Sequence, residues 1–245
     1  MMLRHVAALL LAALSTPALA QDQAPAERPA LGVFTTLPLA WGEASDLGAV
    51  IRGETESHWL RGALDAEYSY VALDTLDQEL AGLDYLLLAQ PRGLGGAENV
   101  ALDDWVRGGG RLLLFADPMM TGESHYGIGD RRRPQDVALL SPILARWGLT
   151  MTMDEAQEGA DGKMLDGTMI PVSLYGTFAL RDPAGGAPAD CTLSAEAVVA
   201  ECTVGEGRVV ILADAAMLDP GMGEFAGVRT ALAVLLGRAF AADSQ

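Results

Sequence analysis

Two stretches of this sequence share one grammar, and that grammar leaves few folds open. Gly108-Gly109-Gly110-Arg111-Leu112-Leu113-Leu114-Phe115-Ala116-Asp117-Pro118 places glycines before an unbroken apolar run and ends it with an aspartate. Gly205-Glu206-Gly207-Arg208-Val209-Val210-Ile211-Leu212-Ala213-Asp214 repeats that order later in the chain. Apolar runs without alternation suit strands covered on both faces. Both stretches are therefore expected as central strands of one α/β sheet, delivering Asp117 and Asp214 to the same edge.

The remaining pattern fits that expectation. Ala30 to Phe34, Tyr68 to Leu73 and Leu83 to Ala89 read as further strands. Thr55 is expected to cap a helix running to about residue 64, with Trp59, Leu60, Ala63 and Leu64 on one face. Ala97 to Arg107 reads as a second helix, stopped by Gly108. A turn of helix is expected at Leu76 to Leu80, and a short helix capped and started by Ser141-Pro142 and ending at Gly148. Gly227 to Ala241 reads as a closing helix. Strands separated by helices imply a mostly parallel sheet with right-handed crossovers. In the C-terminal half, Leu149 to Met153 reads as a strand and 154–168 as an acidic surface loop. Thr168 to Leu180 and Cys191 to Thr203 read as β-hairpin material, so 168–204 is expected as a hairpin extension.

The start of the chain carries an address. A short basic start at Arg4, an apolar run from Val6 to Leu14 and a small-residue site at Ala18-Leu19-Ala20 predict a secretory signal peptide over 1–20. Residues 21–29 read as a disordered tether, and 30–241 as one α/β domain. The expected location is the periplasm. No later stretch is long and apolar enough to span a bilayer. With 33 acidic against 16 basic residues and a net charge of −17, nucleic acid and anionic lipid are poor partners. In an oxidising compartment Cys191 and Cys202 most simply form a disulfide across a hairpin turning near Ala195-Glu196. The alternative, a redox or metal pair, has no CxxC spacing or neighbouring histidine behind it.

The segments LDYLLLAQPRGLGGAENVALDDWVRGGGRLLLFADP (83–118) and GEGRVVILADAAMLD (205–219) are similar to the core and closing segments of one family. They resemble the glutamine-amidotransferase-like domains of ABC-type transport-system auxiliary proteins, including the gliding-motility type. The resemblance implies a flavodoxin-like three-layer sandwich and membrane subunits of an ABC-type transport system as partners. It implies no fixed activity. Catalytic amidotransferases carry a cysteine nucleophile on the elbow after the strand matching 111–116. Here Ala116-Asp117-Pro118 occupies that place and both cysteines lie elsewhere, so thiolate chemistry by that route is not expected.

Ligands of open parallel sheets bind beyond the carboxyl ends of the strands. The candidates there are Thr35, Thr36, Gln90, Arg92, Asp117 and Asp214, with Trp41 and Glu43 lining the same crevice and His125 in the long loop 119–135. The competing reading is that Asp117 and Asp214 cap loops or helix starts. Arg131, Arg132 and Arg133 form the one basic cluster and a candidate partner contact, unless they pair with neighbouring acids. No metal-ligand spacing and no cofactor motif is present, and no catalytic residue is assigned. The expected function is an exported, non-catalytic accessory or binding domain. The alternative is a periplasmic hydrolase or small-ligand binder using the edge carboxylates.

Overall fold

The computed structural model describes residues 28–39 and 58–241. Eleven strands and four α-helices occur among them. The strands are β1 (Ala30–Thr35), β2 (Ser69–Ala72), β3 (Tyr85–Ala89), β4 (Arg111–Phe115), β5 (Leu149–Met153), β6 (Ala160–Leu165), β7 (Thr168–Ser173), β8 (Gly176–Leu180), β9 (Asp190–Ser194), β10 (Val199–Val204) and β11 (Gly207–Leu212). The helices are α1 (Trp59–Glu67), α2 (Gly96–Arg107), α3 (Ser141–Arg146) and α4 (Ala226–Phe240). Two 3-10 turns, Ala216–Leu218 and Pro220–Glu224, precede α4.

The main sheet has seven strands in the order β2-β1-β3-β4-β11-β10-β9. Its first five run parallel, and β10 and β9 add antiparallel steps at one edge. The parallel part has the flavodoxin-like order, with the chain reversing its direction of winding between β1 and β3. Right-handed crossovers then place α1 and α4 on one face and α2 and α3 on the other. Side chains join each pair of helices. Tyr68, after α1, meets Phe240 of α4 edge-on at 5.9 Å, and Phe240 stacks on Tyr85 at 4.5 Å. On the other face, buried Asp103 of α2 accepts from Trp147 Nε1 at 2.9 Å and from Arg146 Nε at 2.8 Å, beside α3, and from Arg107 Nε at 2.9 Å. Burial pushes the Asp103 carboxyl up, but these three donors outweigh it and hold it below its usual range.

The expected central strands are central. β4 and β11 pair in parallel, Leu112 with Val209 through Phe115 with Leu212, and all eight of these side chains are buried. The glycines have a packing reason. A Cβ on Gly207 would stand 1.9 Å from the Val106 carbonyl oxygen and 2.5 Å from that of Gly110. One on Gly110 would stand 2.3 Å from the Trp105 ring. The glycines thus let the starts of β4 and β11 lie directly against the last turn of α2.

Four expectations need correction. Leu76 to Leu80 forms bends rather than helix; Leu76 and Leu80 are still buried. The acidic stretch 154–168 contains β6, which pairs with β7 through the tight turn at Asp166-Gly167. Charge hid this strand: Lys163, on the same face as Leu165, is buried, and its ammonium is paired with Asp161 at 2.9 Å and Glu196 at 2.8 Å. β7 and β8 do not form a hairpin with each other: β7 pairs with β6, and β8 reaches back to β5. The short helix is preceded by Leu140, with no side-chain cap, so Ser141 is its first residue. The leader 1–20, most of the tether and Thr55 lie outside the described residues.

The Cys191–Cys202 disulfide is present, and the two residues are register partners across β9 and β10. The hairpin turn falls at Ala195, Glu196 and Ala197, all at positive φ. The 168–204 region is therefore divided: β9–β10 extends the main sheet, while β7 and β8 each belong to a two-stranded pair.

Gly207→Ala is expected to lower stability by roughly 3 kcal/mol, because the clash is with backbone that cannot swing aside. Gly237→Ala, in the open on α4, should raise it by about 0.5–1 kcal/mol. Chemical denaturation of both variants checks the opposed signs. Replacing both cysteines by alanine should reduce stability by about 3 kcal/mol from loop closure, read as a lower denaturation midpoint that reductant does not move further.

Candidate functional site

The parallel strands bring Thr35, Thr36, Gln90, Asp117 and Asp214 to one edge of the sheet. Trp41 and Glu43 lie outside the described residues. Thr35 Oγ1 donates to the Ala89 carbonyl at 2.6 Å and Thr36 Oγ1 to that of Gln90 at 2.5 Å, tying β1 to β3 at the winding reversal. Thr36 Oγ1 also accepts from Gln135 N at 2.9 Å. Gln90 holds a left-handed backbone, φ 44°, which is strained for a residue with a side chain. Its fully buried amide accounts for that conformation. Oε1 accepts from Asp117 N at 2.8 Å, and Nε2 donates to the carbonyls of Gln135 at 2.8 Å and Asp117 at 3.2 Å.

Asp117 and Asp214 are both fully buried. Asp117 Oδ1 accepts from Met119 N at 2.8 Å and Oδ2 from Ala215 N at 3.1 Å. Asp214 Oδ1 accepts from Ala216 N at 2.7 Å and Oδ2 from Ser173 N at 2.8 Å. Each carboxylate therefore pins its own exit loop and a second segment: Asp117 crosses to the end of β11, and Asp214 crosses to β7. This is the capping role. Burial pushes the Asp117 carboxyl up to about 6, against the pull of its two N–H donors and with the added repulsion of Asp219. Burial, and then the Asp117 charge, push Asp214 well above the usual carboxylate range. Asp219 is also raised by burial.

Sequence reading missed two members of this neighbourhood. Asp219 opens an Asp-Pro-Gly turn, and its backbone carbonyl accepts from Trp59 Nε1 at 3.0 Å. His58 is buried, and its Nδ1 accepts from Leu60 N at 3.2 Å to cap α1. Burial lowers its pKa, partly offset by a hydrogen bond to the Leu218 backbone. The signal available for His58 was its place just before an apolar helix face.

Other candidates lie apart from this cluster. Arg92 makes two bonds of 2.8 Å to Glu98, near the start of α2, and its guanidinium stands 4.9 Å from the Phe34 ring centroid. The Arg92 side chain holds the Glu98 carboxyl down to about 2. His125 is exposed in the loop 119–135. That loop is closed at its base by Met120 N to Asp136 O at 3.0 Å and Ala138 N to Asp117 O at 2.8 Å. Within it Arg132 pairs with Asp130 at 2.7 Å and Arg133 with Asp136 at 2.8 Å, while Arg131 is exposed. No group of three or more metal-ligating side chains that could hold an ion occurs among the described residues, and no helix among them is long and apolar enough to cross a membrane.

No protein-family model matches the chain. No curated protein matches it. Among solved structures, the chain is similar to the mmIFT52 N-terminal domain, with TM-score 0.56 and 13% identity over 88% of this chain and 99% of that one. It is also similar to the exo-β-1,4-mannosidase Op5Man5 from Opitutaceae bacterium strain TAV5, with TM-score 0.50 and 13% identity. There the match covers 85% of this chain but only 35% of the enzyme. At these identities the likeness concerns the fold, a flavodoxin-like arrangement shared by both.

The buried carboxylates have a measurable consequence. An aspartate whose pKa is raised by folding binds its proton more tightly in the native state, so stability falls as pH rises through the window from the unfolded to the folded value. For Asp117 that window runs from about 4 to about 6, and Asp214 adds to it in the same direction. In high salt, which screens the surface charge, the urea midpoint should decline from pH 4.5 to pH 7. Asp214→Asn should flatten that decline even though the amide satisfies only one of the two N–H donors.

Proposed function

We propose that this chain is an exported, non-catalytic accessory or binding domain that works beside an envelope or ABC-type transport system. One observation carries the reading. The elbow after β4, where an amidotransferase-like nucleophile would stand, holds Asp117, which is fully buried with both carboxylate oxygens occupied by backbone N–H groups. A group so placed fixes loops and reaches no substrate. The export part is supported by the leader-like first 20 residues and by the Cys191–Cys202 disulfide, a bond that persists in oxidising compartments. The transport part is supported by the segments 83–118 and 205–219 and their resemblance to auxiliary domains of such systems.

A hydrolase reading has one observation in its favour: the raised Asp117 pKa, near the range useful for proton transfer. Burial of both edge carboxylates weighs against it, since a catalytic carboxyl must come within hydrogen-bond reach of the reacting group.

Native envelopes solubilised in mild detergent and passed over the tagged full chain should yield a membrane subunit of an ABC-type system; no envelope partner across repeated preparations overturns the proposal. In parallel, wild type and Asp117→Asn should be equally inert toward a panel of glycoside and ester substrates. Turnover by wild type that the variant loses would establish the hydrolase reading instead.

A further inference from the structure

Strand β5 is the outer member of a two-stranded sheet. Its partner β8 is secured on both sides. Arg181 N donates to Gly148 O at 2.9 Å, which fixes Gly148–Arg181 as a hydrogen-bonded pair just before β5. In an antiparallel ladder such pairs alternate. With Thr150 opposite Ala179 and Thr152 opposite Thr177, the backbone groups of Thr150 and Thr152 face β8. On the far side of β8, Gly176 N donates to Ala213 O at 2.7 Å and Phe178 N to Ala197 O at 2.8 Å, as the same alternation requires. The backbone N–H and C=O groups of Met151 and Met153 therefore point away from β8, and no backbone partner stands opposite them among the described residues.

These groups open onto a groove. A cavity of about 310 Å³ runs between Thr150–Met153 on one side and Pro118, Val137, Ser141 and Leu144 on the other. Among the described residues, Arg181 is the one charged residue lining it. Val137 and, on β8, Leu180 leave apolar surface exposed nearby (44% and 57%).

We infer that the free edge of β5 is a docking site for an extended peptide segment of a partner protein, which adds as an antiparallel strand. The inference rests on the binding-domain reading above and names the surface that such a domain would use. Three features select this occupant. Two outward N–H/C=O pairs, at alternate residues, are satisfied together only by an extended main chain. The groove walls include the apolar side chains of Pro118, Val137, Leu144 and Met151, which suit the alternate side chains of an extended strand. Arg181, by its register with Gly148, stands at the N-terminal end of β5, so an antiparallel strand would bring its C-terminal end there. A carboxylate at that end, from an acidic residue or a free C-terminus, meets the Arg181 guanidinium. A second copy of this acidic chain, with its net charge of −17, would be repelled.

The test uses the full chain and dodecapeptides selected on it from a random library, then synthesised. Selected peptides should alternate apolar residues and carry a carboxylate near the C-terminus. Hydrogen exchange should show added protection at the Met151 and Met153 amides, with Thr150 and Thr152 unchanged. Met151→Pro removes an outward donor that the ladder does not use. It should weaken binding at least tenfold, whereas Met151→Ala, which loses the same core-packed side chain but keeps the donor, should bind within about twofold of wild type. Arg181→Glu, an exposed substitution, should weaken binding about tenfold without altering the fold. Enriched peptides that bind Met151→Pro as tightly as wild type, or that protect another surface, overturn the inference. So does a concentration-dependent dimer that Met151→Pro abolishes, since β5 would then pair with itself. If an envelope partner is retained by Met151→Pro, the docking inference fails while the binding-domain reading stands. If wild type retains no envelope partner, the binding-domain reading fails, and the peptide measurements judge the edge alone.

Discussion

The fold depends on how closely the last turn of α2 approaches the starts of β4 and β11. Only a hydrogen fits between the Gly207 Cα and the Val106 carbonyl. That contact sets the height at which β11 enters the sheet and, through a strict parallel register, the height at which Asp214 leaves it. The opposite end of the pair is closed by Asp117, whose carboxylate accepts from the first backbone N–H beyond Asp214. The two central strands are thus clamped at both ends, by sterics at one and by a buried charge at the other.

The charged end is a compromise. Two buried carboxyls near each other resist ionisation, and each N–H donor they accept only partly offsets the loss of water. What they secure is loop position: the base of the 119–135 loop, the turn after β11 and the end of β7 are all fixed by these two side chains. The same edge that a ligand-binding relative of this fold would leave open is here cross-braced from within, by Thr35, Thr36 and Gln90 at one point and by the aspartates at the next.

Much of the architecture was legible in the sequence because central strands and their glycine entries leave a local signature. The two runs at 111–116 and 208–213 specified the sheet core, and the pair Cys191 and Cys202 specified a hairpin register. What was not legible depended on partners far away. β6 is an ordinary polar stretch until β7 lies beside it. β7 and β8 are contiguous apolar segments whose separate pairings no local pattern encodes. At the candidate site, the types and the common edge of Asp117 and Asp214 were readable. Their occupied oxygens were not, because the donors are the backbone N–H groups of Met119, Ala215, Ser173 and Ala216, which carry no side-chain signature. The site's third acid, Asp219, was hidden inside a turn motif.

The order of strands in the sheet also determines when the fold can be finished. β11 lies inside the sheet but is the last strand in the chain, and its partner β4 precedes it by about a hundred residues, so their pairing is a late, long-range closure. The β9–β10 hairpin, by contrast, closes over a few residues and is sealed by its own disulfide. Until β11 arrives, the edge of β4 presents Leu112 to Phe115 with unpaired backbone groups, the kind of surface that recruits other chains. A chain cut just before Gly207 would keep β1, α1, β2, β3, α2 and β4 and yet leave the edge of β4 open. The C-terminal third is therefore the cover without which the rest is prone to aggregate.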